Sequence, residues 1–116
     1  MKKDIITRAL TAMQEEDMLP SMKQTYIFIC SSAMGNDGLF DKSKKHIQDL
    51  TGMTQPTVDS HMKTLYEKKY IYKTPDGIIP LKYLEEIFEK DTVKQIRTLI
   101  KAEQMRIVNT LTGEVK

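Results

Sequence analysis

The sequence predicts a mainly α-helical domain that carries one small β-hairpin. Apolar residues recur at helical spacing over most of the chain. In the middle, two such helical stretches are separated only by Gly52 and Met53. Directly after them, the turn sequence TPDG at 74–77 joins two short apolar runs, which is typical of a hairpin.

Length and composition predict a single domain, residues 1–116. A chain of 116 residues that is 40% hydrophobic and 29% charged can bury one core. Its only cysteine, Cys30, permits no internal disulfide, and no Cys/His cluster has zinc-ligand spacing. The longest apolar run, 26–30, is too short to cross a bilayer, and residues 1–10 lack the apolar stretch of a signal peptide. We therefore expect a cytoplasmic protein without metal or cofactor.

Two helices are predicted in the N-terminal part of the chain. Asp4 is expected to cap the first, within residues 1–20. Its apolar stripe consists of Ile5, Ile6, Ala9, Leu10 and Met13. Ser21 and Gln24 form a capping-box pattern that opens the second helix, which runs to Met34. This second helix is apolar nearly all round, so we expect it to be the buried centre of the fold.

A helix–turn–helix unit is predicted next, after a loop at 35–38 and a very short strand at 39–40. Ser43 is a suitable cap for the third helix, in which Ile47 and Leu50 are expected to turn inward. Gly52 can end that helix in the left-handed conformation. A fourth helix is predicted over 54–70, with Thr54 as its cap.

The fourth helix has one apolar and one polar side. Pro56 lies in its first turn, where a missing N–H costs nothing. The predicted buried face consists of Val58, Met62 and Leu65. The outward positions are Gln55, Thr57, Asp59, Ser60, Lys63 and Thr64. Because a short turn makes two helices cross steeply, the front of the second helix is exposed and fits the major groove of B-DNA.

A hairpin and two further helices complete the prediction. The strands are 70–72 and 78–81, and Pro80 places the second strand at an edge because it cannot donate to a ladder. A helix over 82–90 is expected to bury Leu84, Ile87 and Phe88. Asp91 is expected to cap a last helix, 92–111. Its apolar positions are Val93, Ile96, Leu99, Ile100, Ile107 and Leu111.

Positive charge gathers in the middle of the chain. The net charge is only +2. Residues 42–74 nevertheless hold seven lysines against three acidic residues, a balance of +4, whereas residues 82–91 have a balance of −2. DNA affinity depends on such local patches more than on total charge, although a solvated lysine-rich face would have the same pattern.

Residues 46–71, HIQDLTGMTQPTVDSHMKTLYEKKYI, resemble the winged helix-turn-helix of ArsR- and MarR-type bacterial regulators. The resemblance implies that 54–70 is a recognition helix and that the hairpin is the wing. It implies base and phosphate contacts from Gln55, Thr57, Ser60 and His61. With the neighbouring polar and cationic positions, the candidate DNA-binding residues are Lys44, Lys45, Thr54, Gln55, Thr57, Ser60, His61, Lys63, Thr64 and Lys73.

The chain departs from that pattern at several positions. The paired cysteines of ArsR-type metal sensors are missing, so metal sensing is not implied. Lys69 stands where glycine is common, and Lys73 is the only cation expected near the DNA backbone on a wing without arginines. The order of elements is also similar to that of RepL-type plasmid replication proteins and of TubR-type centromere-binding proteins.

Several residues permit a structural as well as a functional interpretation. His61 lies at the edge of the buried face, where packing is as good an explanation as a phosphate contact. Asp59 could accept a hydrogen bond from a cytosine amino group, but an intrahelical pair with Lys63 is the simpler expectation. Cys30 lies in an apolar run and is expected to be an inert core residue.

Three functions are compatible with the sequence. The leading hypothesis is a transcriptional regulator that binds double-stranded DNA as a homodimer through its N- and C-terminal helices, with recognition helices about 34 Å apart. The first alternative is a plasmid or phage replication or partition protein that binds DNA. The second is a winged-helix protein-interaction module. An enzyme is not expected, because the sequence contains no nucleophile–base pair, phosphate-binding loop or carboxylate cluster.

Overall fold

The computed structural model of the protein describes the backbone of residues 2–112 and the side chains of residues 5–106. Within this range the chain forms six helices and one two-stranded antiparallel sheet. The elements are α1 (Lys2–Ala12), α2 (Pro20–Met34), α3 (Lys44–Thr51), α4 (Gln55–Glu67), β1 (Ile71–Thr74), β2 (Gly77–Pro80), α5 (Leu84–Ile87) and α6 (Lys90–Thr112). The prediction of a mainly helical chain with a small hairpin is confirmed.

Helix α1 packs against α2 and α5 along one row of side chains. Ile5, Ala9 and Met13 lie on this row and are completely buried. Asp4 lies inside the helix, so the prediction that it is the cap was wrong. The prediction that Leu10 turns inward was also wrong, because its side chain is 52% exposed. Leu10 lies about 100° around the helix from the buried row, on the side away from α2 and α5.

Helix α2 forms the centre of the core, as predicted. Its buried side chains are Met22, Thr25, Tyr26, Ile27, Ile29, Cys30 and Ala33. The helix begins at Pro20, with Leu19 in an extended conformation (φ −59°, ψ 139°) at the capping position. The predicted capping box at Ser21 was therefore wrong, because Pro20 presets the first helical φ and has no N–H that needs a cap.

The α3–turn–α4 unit begins and turns at the predicted residues. Ser43 and Thr54 occupy the capping positions with extended backbones. Gly52 ends α3 in the left-handed conformation, φ 75°, and donates its N–H to the carbonyl of Gln48 at 2.8 Å. Helix α4 ends at Glu67 rather than at residue 70.

Only part of α3 faces the core. Ile47 is completely buried, but Leu50 is 48% exposed, so the prediction that it turns inward was wrong. Helix α3 has eight residues and contacts α2 and α4 along the side that carries Ile47 and Thr51. Leu50 lies beside that row and meets solvent.

The hairpin is short and is held at its turn by Thr74. Ile71 pairs with Pro80 and Thr74 with Gly77. The first strand therefore begins one residue later and ends two residues later than predicted, and the second lies one residue earlier than predicted. The Thr74 hydroxyl accepts from the N–H groups of Asp76 (3.2 Å) and Gly77 (3.1 Å). The predicted strand at 39–40 forms as a single bridge, in which Phe40 and Ile78 exchange two backbone hydrogen bonds of 2.8 Å.

The C-terminal part differs most from the prediction. Leu84, Ile87 and Phe88 are buried as expected, but α5 is a single turn because Tyr83 before it is left-handed (φ 59°) and Phe88 after it is extended. Helix α6 begins at Lys90, one residue before the predicted cap at Asp91.

Helix α6 leaves the core partway along its length. Val93 and Ile96 are buried and Leu99 and Ile100 are half-buried, whereas Met105 is 56% exposed. The apolar positions predicted at 107 and 111 lie outside the described side chains.

A tyrosine cluster fixes the base of the hairpin to the helical core. The Tyr26 hydroxyl donates to the carbonyl of Lys82 (2.6 Å) and accepts from its N–H (3.0 Å). Tyr70 packs edge-to-face on Tyr26, with ring centroids 5.2 Å apart. The Glu16 carboxylate, between α1 and α2, accepts hydrogen bonds from Tyr70 (2.5 Å) and Tyr83. The hairpin therefore cannot swing freely relative to α2.

Candidate nucleic-acid interface

Helix α4 has the two different sides that the sequence predicts. Its inner side, buried against α2 and α3, consists of Val58, His61, Met62 and Leu65. Thr54 at its start is exposed, and so are four of the predicted contact residues on the helix: Gln55, Thr57, Ser60 and Lys63. Thr64 is half-buried at the border between the two sides. The structure therefore brings most of the predicted contact residues of α4 together on one exposed strip.

His61 does not belong to that strip. Its side chain is only 4% exposed, and its Nδ1 atom lies 2.9 Å from the Thr25 hydroxyl of α2. Burial lowers the pKa of the imidazole below its ordinary value, so the ring is neutral near pH 7. Of the two interpretations of His61, the structure favours packing over a phosphate contact, because at position 61 the α4 surface already faces α2.

The exposed strip begins with a pair of hydroxyl groups. Thr54 Oγ1 and Thr57 Oγ1 lie 3.0 Å apart, and Thr54 makes no side-chain capping hydrogen bond to the helix. Their remaining hydrogen-bonding capacity points to solvent at the N-terminus of α4, where the helix dipole favours anions. A threonine hydroxyl in this position can donate a hydrogen bond to a phosphate or to a base edge.

Asp59 pairs across the turn and not along its own helix. Lys44 Nζ of α3 lies 2.8 Å from Asp59 Oδ1, so the predicted pair between Asp59 and Lys63 was wrong. Lys63 is exposed, and no ion pair joins it to another side chain of residues 5–106. On α3 itself, Lys45 Nζ lies 3.2 Å from Asp49 Oδ1.

A groove of about 530 Å³ separates the start of α3 from the hairpin turn. Three lysines line it, Lys42, Lys44 and Lys73, together with Asp41 and Asp76. The ammonium group of Lys73 also lies 5.2 Å from the centre of the Tyr66 ring on α4. The groove therefore places cations on both of its walls, and Met62 and Tyr66 of α4 lie next to them.

Lys42 lines this groove but is not among the candidate residues that the sequence predicted. It lies in the connection before α3, where no helical spacing predicts which way the side chain points. Its place follows from the Phe40–Ile78 bridge, which brings the connection to the hairpin. The strand signal at 39–40 was therefore the available clue, because a strand there has to pair with the hairpin.

Other kinds of site find no support in the described part of the chain. Among the described residues, no three His, Cys, Asp or Glu side chains are grouped as metal ligands would be. None of the described helices combines the length and apolar character needed to cross a membrane. Comparisons with known proteins found no matching family model, curated protein or solved structure.

Proposed function

We propose that the protein is a winged helix-turn-helix protein that binds double-stranded DNA, with α4 as its recognition helix and the β1–β2 hairpin as its wing. The observation that carries the proposal is the division of α4 into a buried apolar back and an exposed polar front. Gln55 and Ser60 on that front offer the amide and hydroxyl groups that read base edges in a major groove.

The lysines beside α4 support contact with the DNA backbone. A helix inserted in the major groove has phosphates on both sides, because the groove is only about 12 Å wide. In the protein groove between α3 and the hairpin, Lys42 and Lys44 lie on the α3 wall and Lys73 lies on the hairpin wall. Lysines in these positions are suited to phosphate contacts that fix the orientation of the helix.

The function that fits such a protein best is transcriptional regulation as a cytoplasmic homodimer. The apolar side chains Leu10 on α1 and Met105 on α6 are more than half exposed in the single chain, and a second copy would cover them. A two-fold dimer presents two recognition helices to half-sites about 34 Å apart. One inverted repeat over a promoter would agree with regulation, whereas a cluster of repeats would favour plasmid or phage replication or partition.

One observation favours a second candidate, a winged-helix module that binds protein instead of DNA. Lys44 and Lys45 both have aspartate partners, which reduces the unpaired positive charge near α4. Glu67 also ends the helix with a negative charge. A protein partner would tolerate these carboxylates better than a phosphate backbone does.

Titration of the purified protein against a randomised duplex pool, with enrichment of bound sequences, tests the proposal. The double variant Gln55→Ala with Lys63→Glu should weaken binding of the enriched duplex at least tenfold, and the dependence on salt should become shallower. Lys94→Glu with Gln95→Ala makes the same chemical change on α6 and should bind like the parent. Failure of the parent to enrich any duplex, or unchanged binding by the α4 variant, would contradict the proposal.

A further inference from the structure

Asp59 is an acidic side chain in the exposed half of a helix otherwise suited to meeting a polyanion. It lies on the flank of the exposed strip, one residue before Ser60. Any carboxylate here is repelled by phosphates, so it needs either a compensating cation or a donor to accept from. In the structure Lys44 is the compensating cation of Asp59, and the question is which group donates a hydrogen bond to the carboxylate.

The two oxygens of Asp59 have different surroundings. Oδ1 is shielded from solvent and makes no well-aligned hydrogen bond with a described residue, and the ammonium group of Lys44 lies 2.8 Å from it. The side chain as a whole is still 40% exposed. Because Oδ1 contributes none of that exposure, the exposed part of the side chain consists of its remaining atoms, which include the second oxygen, Oδ2.

A purely structural role explains this arrangement poorly. Both partners are substantially exposed, and an ion pair between exposed side chains contributes little to stability. Ile47, Val58 and Leu65, all completely buried, already fix α3 against α4. The pair therefore holds Asp59 in one orientation more than it holds the fold together.

We propose that Asp59 is a specificity-determining residue, which accepts a hydrogen bond from the exocyclic amino group of a cytosine in the major groove, with Lys44 as its positioning residue. This inference rests on the proposed function. An ionised carboxylate only accepts, and cytosine presents an amino donor to the major groove, whereas guanine presents two acceptors and thymine an acceptor and a methyl group. Adenine adds an acceptor, N7, next to its amino group, which disfavours a carboxylate.

The test compares the base preferences of Asp59→Asn and Asp49→Asn with that of the parent, by selection from a randomised duplex pool. Asp49 is the control, because it also pairs with a lysine, Lys45, but both residues of that pair lie on α3, outside α4. The parent should prefer cytosine at one position of the site by about fivefold or more. Asp59→Asn should lose that preference or move it towards adenine, which an amide recognises, and Asp49→Asn should keep it.

The outcomes separate this inference from the proposal on which it rests. A parent protein that enriches a defined duplex, with an Asp59→Asn variant of unchanged base preference, overturns the role of Asp59 and leaves DNA binding standing. A parent protein that enriches no duplex overturns both. If Asp59→Asn instead weakens binding of every duplex by the same factor and lowers the melting temperature, the Lys44–Asp59 pair is structural. That result would also overturn the specificity role of Asp59.

Discussion

Lys69 holds a backbone conformation that suits glycine better than lysine. Its φ is 63°, and it is the second residue after the end of α4. The N–H of Lys69 donates to the carbonyl of Tyr66 (3.1 Å), and that of Tyr70 donates to the carbonyl of Leu65 (2.8 Å). This pair of bonds is a Schellman motif, whose left-handed position is usually glycine. The Lys69 side chain is exposed, so nothing in its packing compensates for the strain.

We therefore expect Lys69→Gly to stabilise the protein. A left-handed residue with a Cβ atom is strained by about 1 kcal/mol, and the extra chain entropy of glycine when unfolded offsets part of the gain. The expected net gain in the free energy of unfolding is about 0.5–1 kcal/mol, measured by urea denaturation. Lys68→Gly removes the same charge at an ordinary φ of −82° and should not stabilise. Equal effects of both variants would show that charge, not backbone strain, is responsible.

The buried contact between His61 and Thr25 makes stability depend on pH. Because burial lowers the pKa of His61, protonation favours the unfolded chain, in which the pKa is near the ordinary 6.5. Stability is therefore full above that value and decreases as the pH falls through 6.5 towards the lower pKa of the folded state. One such group changes the free energy of unfolding by at most about 1.4 kcal/mol per pH unit.

Urea denaturation between pH 7.5 and pH 5 measures this dependence. His61→Gln should flatten it, while His46→Gln, which removes the other histidine, should leave it in place. The Glu16 carboxyl contributes little in this window, because the Tyr70 and Tyr83 hydroxyls lower its pKa in the folded chain and the stability it provides is lost mainly below the ordinary 4.5. A slope that persists in His61→Gln would contradict the assignment.

At the level of elements, the hairpin is attached to the body through a position that only glycine fits. Gly77 has a φ of 154°, and a Cβ atom there would lie 2.5 Å from the carbonyl oxygen of Phe40. That oxygen accepts the hydrogen bond of Ile78, so it cannot move away without breaking the bridge. The contact positions the hairpin next to the lysine-lined groove.

Gly77→Ala should destabilise the protein by about 2–4 kcal/mol, from backbone strain and steric overlap together. Gly52→Ala serves as the comparison, because its φ of 75° is also unfavourable but an added Cβ meets no atom within 4 Å. We therefore expect it to lower the free energy of unfolding by only about 1 kcal/mol. Thermal unfolding followed by circular dichroism measures both variants. A smaller loss for Gly77→Ala than for Gly52→Ala would contradict the close approach to Phe40.

The elements that sequence predicted best are those specified by local chemistry. Gly52, Thr54 and Pro56 mark the turn and the start of α4 through backbone preferences that need no information from the rest of the chain. The burial of residues at the edge of a helix's apolar face was harder to predict. Leu50 turned out exposed and His61 buried, because which side of a border is covered depends on where neighbouring helices pass.

Contacts between elements could not be predicted from spacing. The sequence places Asp59 four residues before Lys63, a separation that favours an intrahelical pair. The packing of α3 against α4 brings Lys44 Nζ within 2.8 Å of Asp59 Oδ1, and that packing is a property of the folded pair of helices. The same reasoning explains Tyr83, whose left-handed backbone shortens the predicted helix at 82–90 and whose hydroxyl bonds to Glu16 far away in sequence.

On the scale of the whole molecule, the exposed apolar side chains of α1 and α6 predict self-association. Leu10→Glu combined with Met105→Glu should convert the proposed dimer into a monomer, because two buried carboxylates without partners are strongly unfavourable at an interface. Sedimentation equilibrium at micromolar concentration measures the change. Leu19→Glu, at an exposed leucine between α1 and α2, is the control and should remain dimeric. A monomeric parent protein would contradict the dimer.

Cross-linking from Ser60 tests the proposal that the exposed front of α4 lies in a duplex groove. A photoreactive thiol label on Ser60→Cys reacts selectively, because the natural Cys30 is fully buried and burial raises its pKa to about 12. Thr98→Cys, at an exposed position of α6, is the matched control. We predict that the Ser60 label cross-links to bases of the enriched duplex and that the Thr98 label does not. If the Ser60 label cross-links only to protein while the duplex is bound, α4 does not lie in the groove of the duplex.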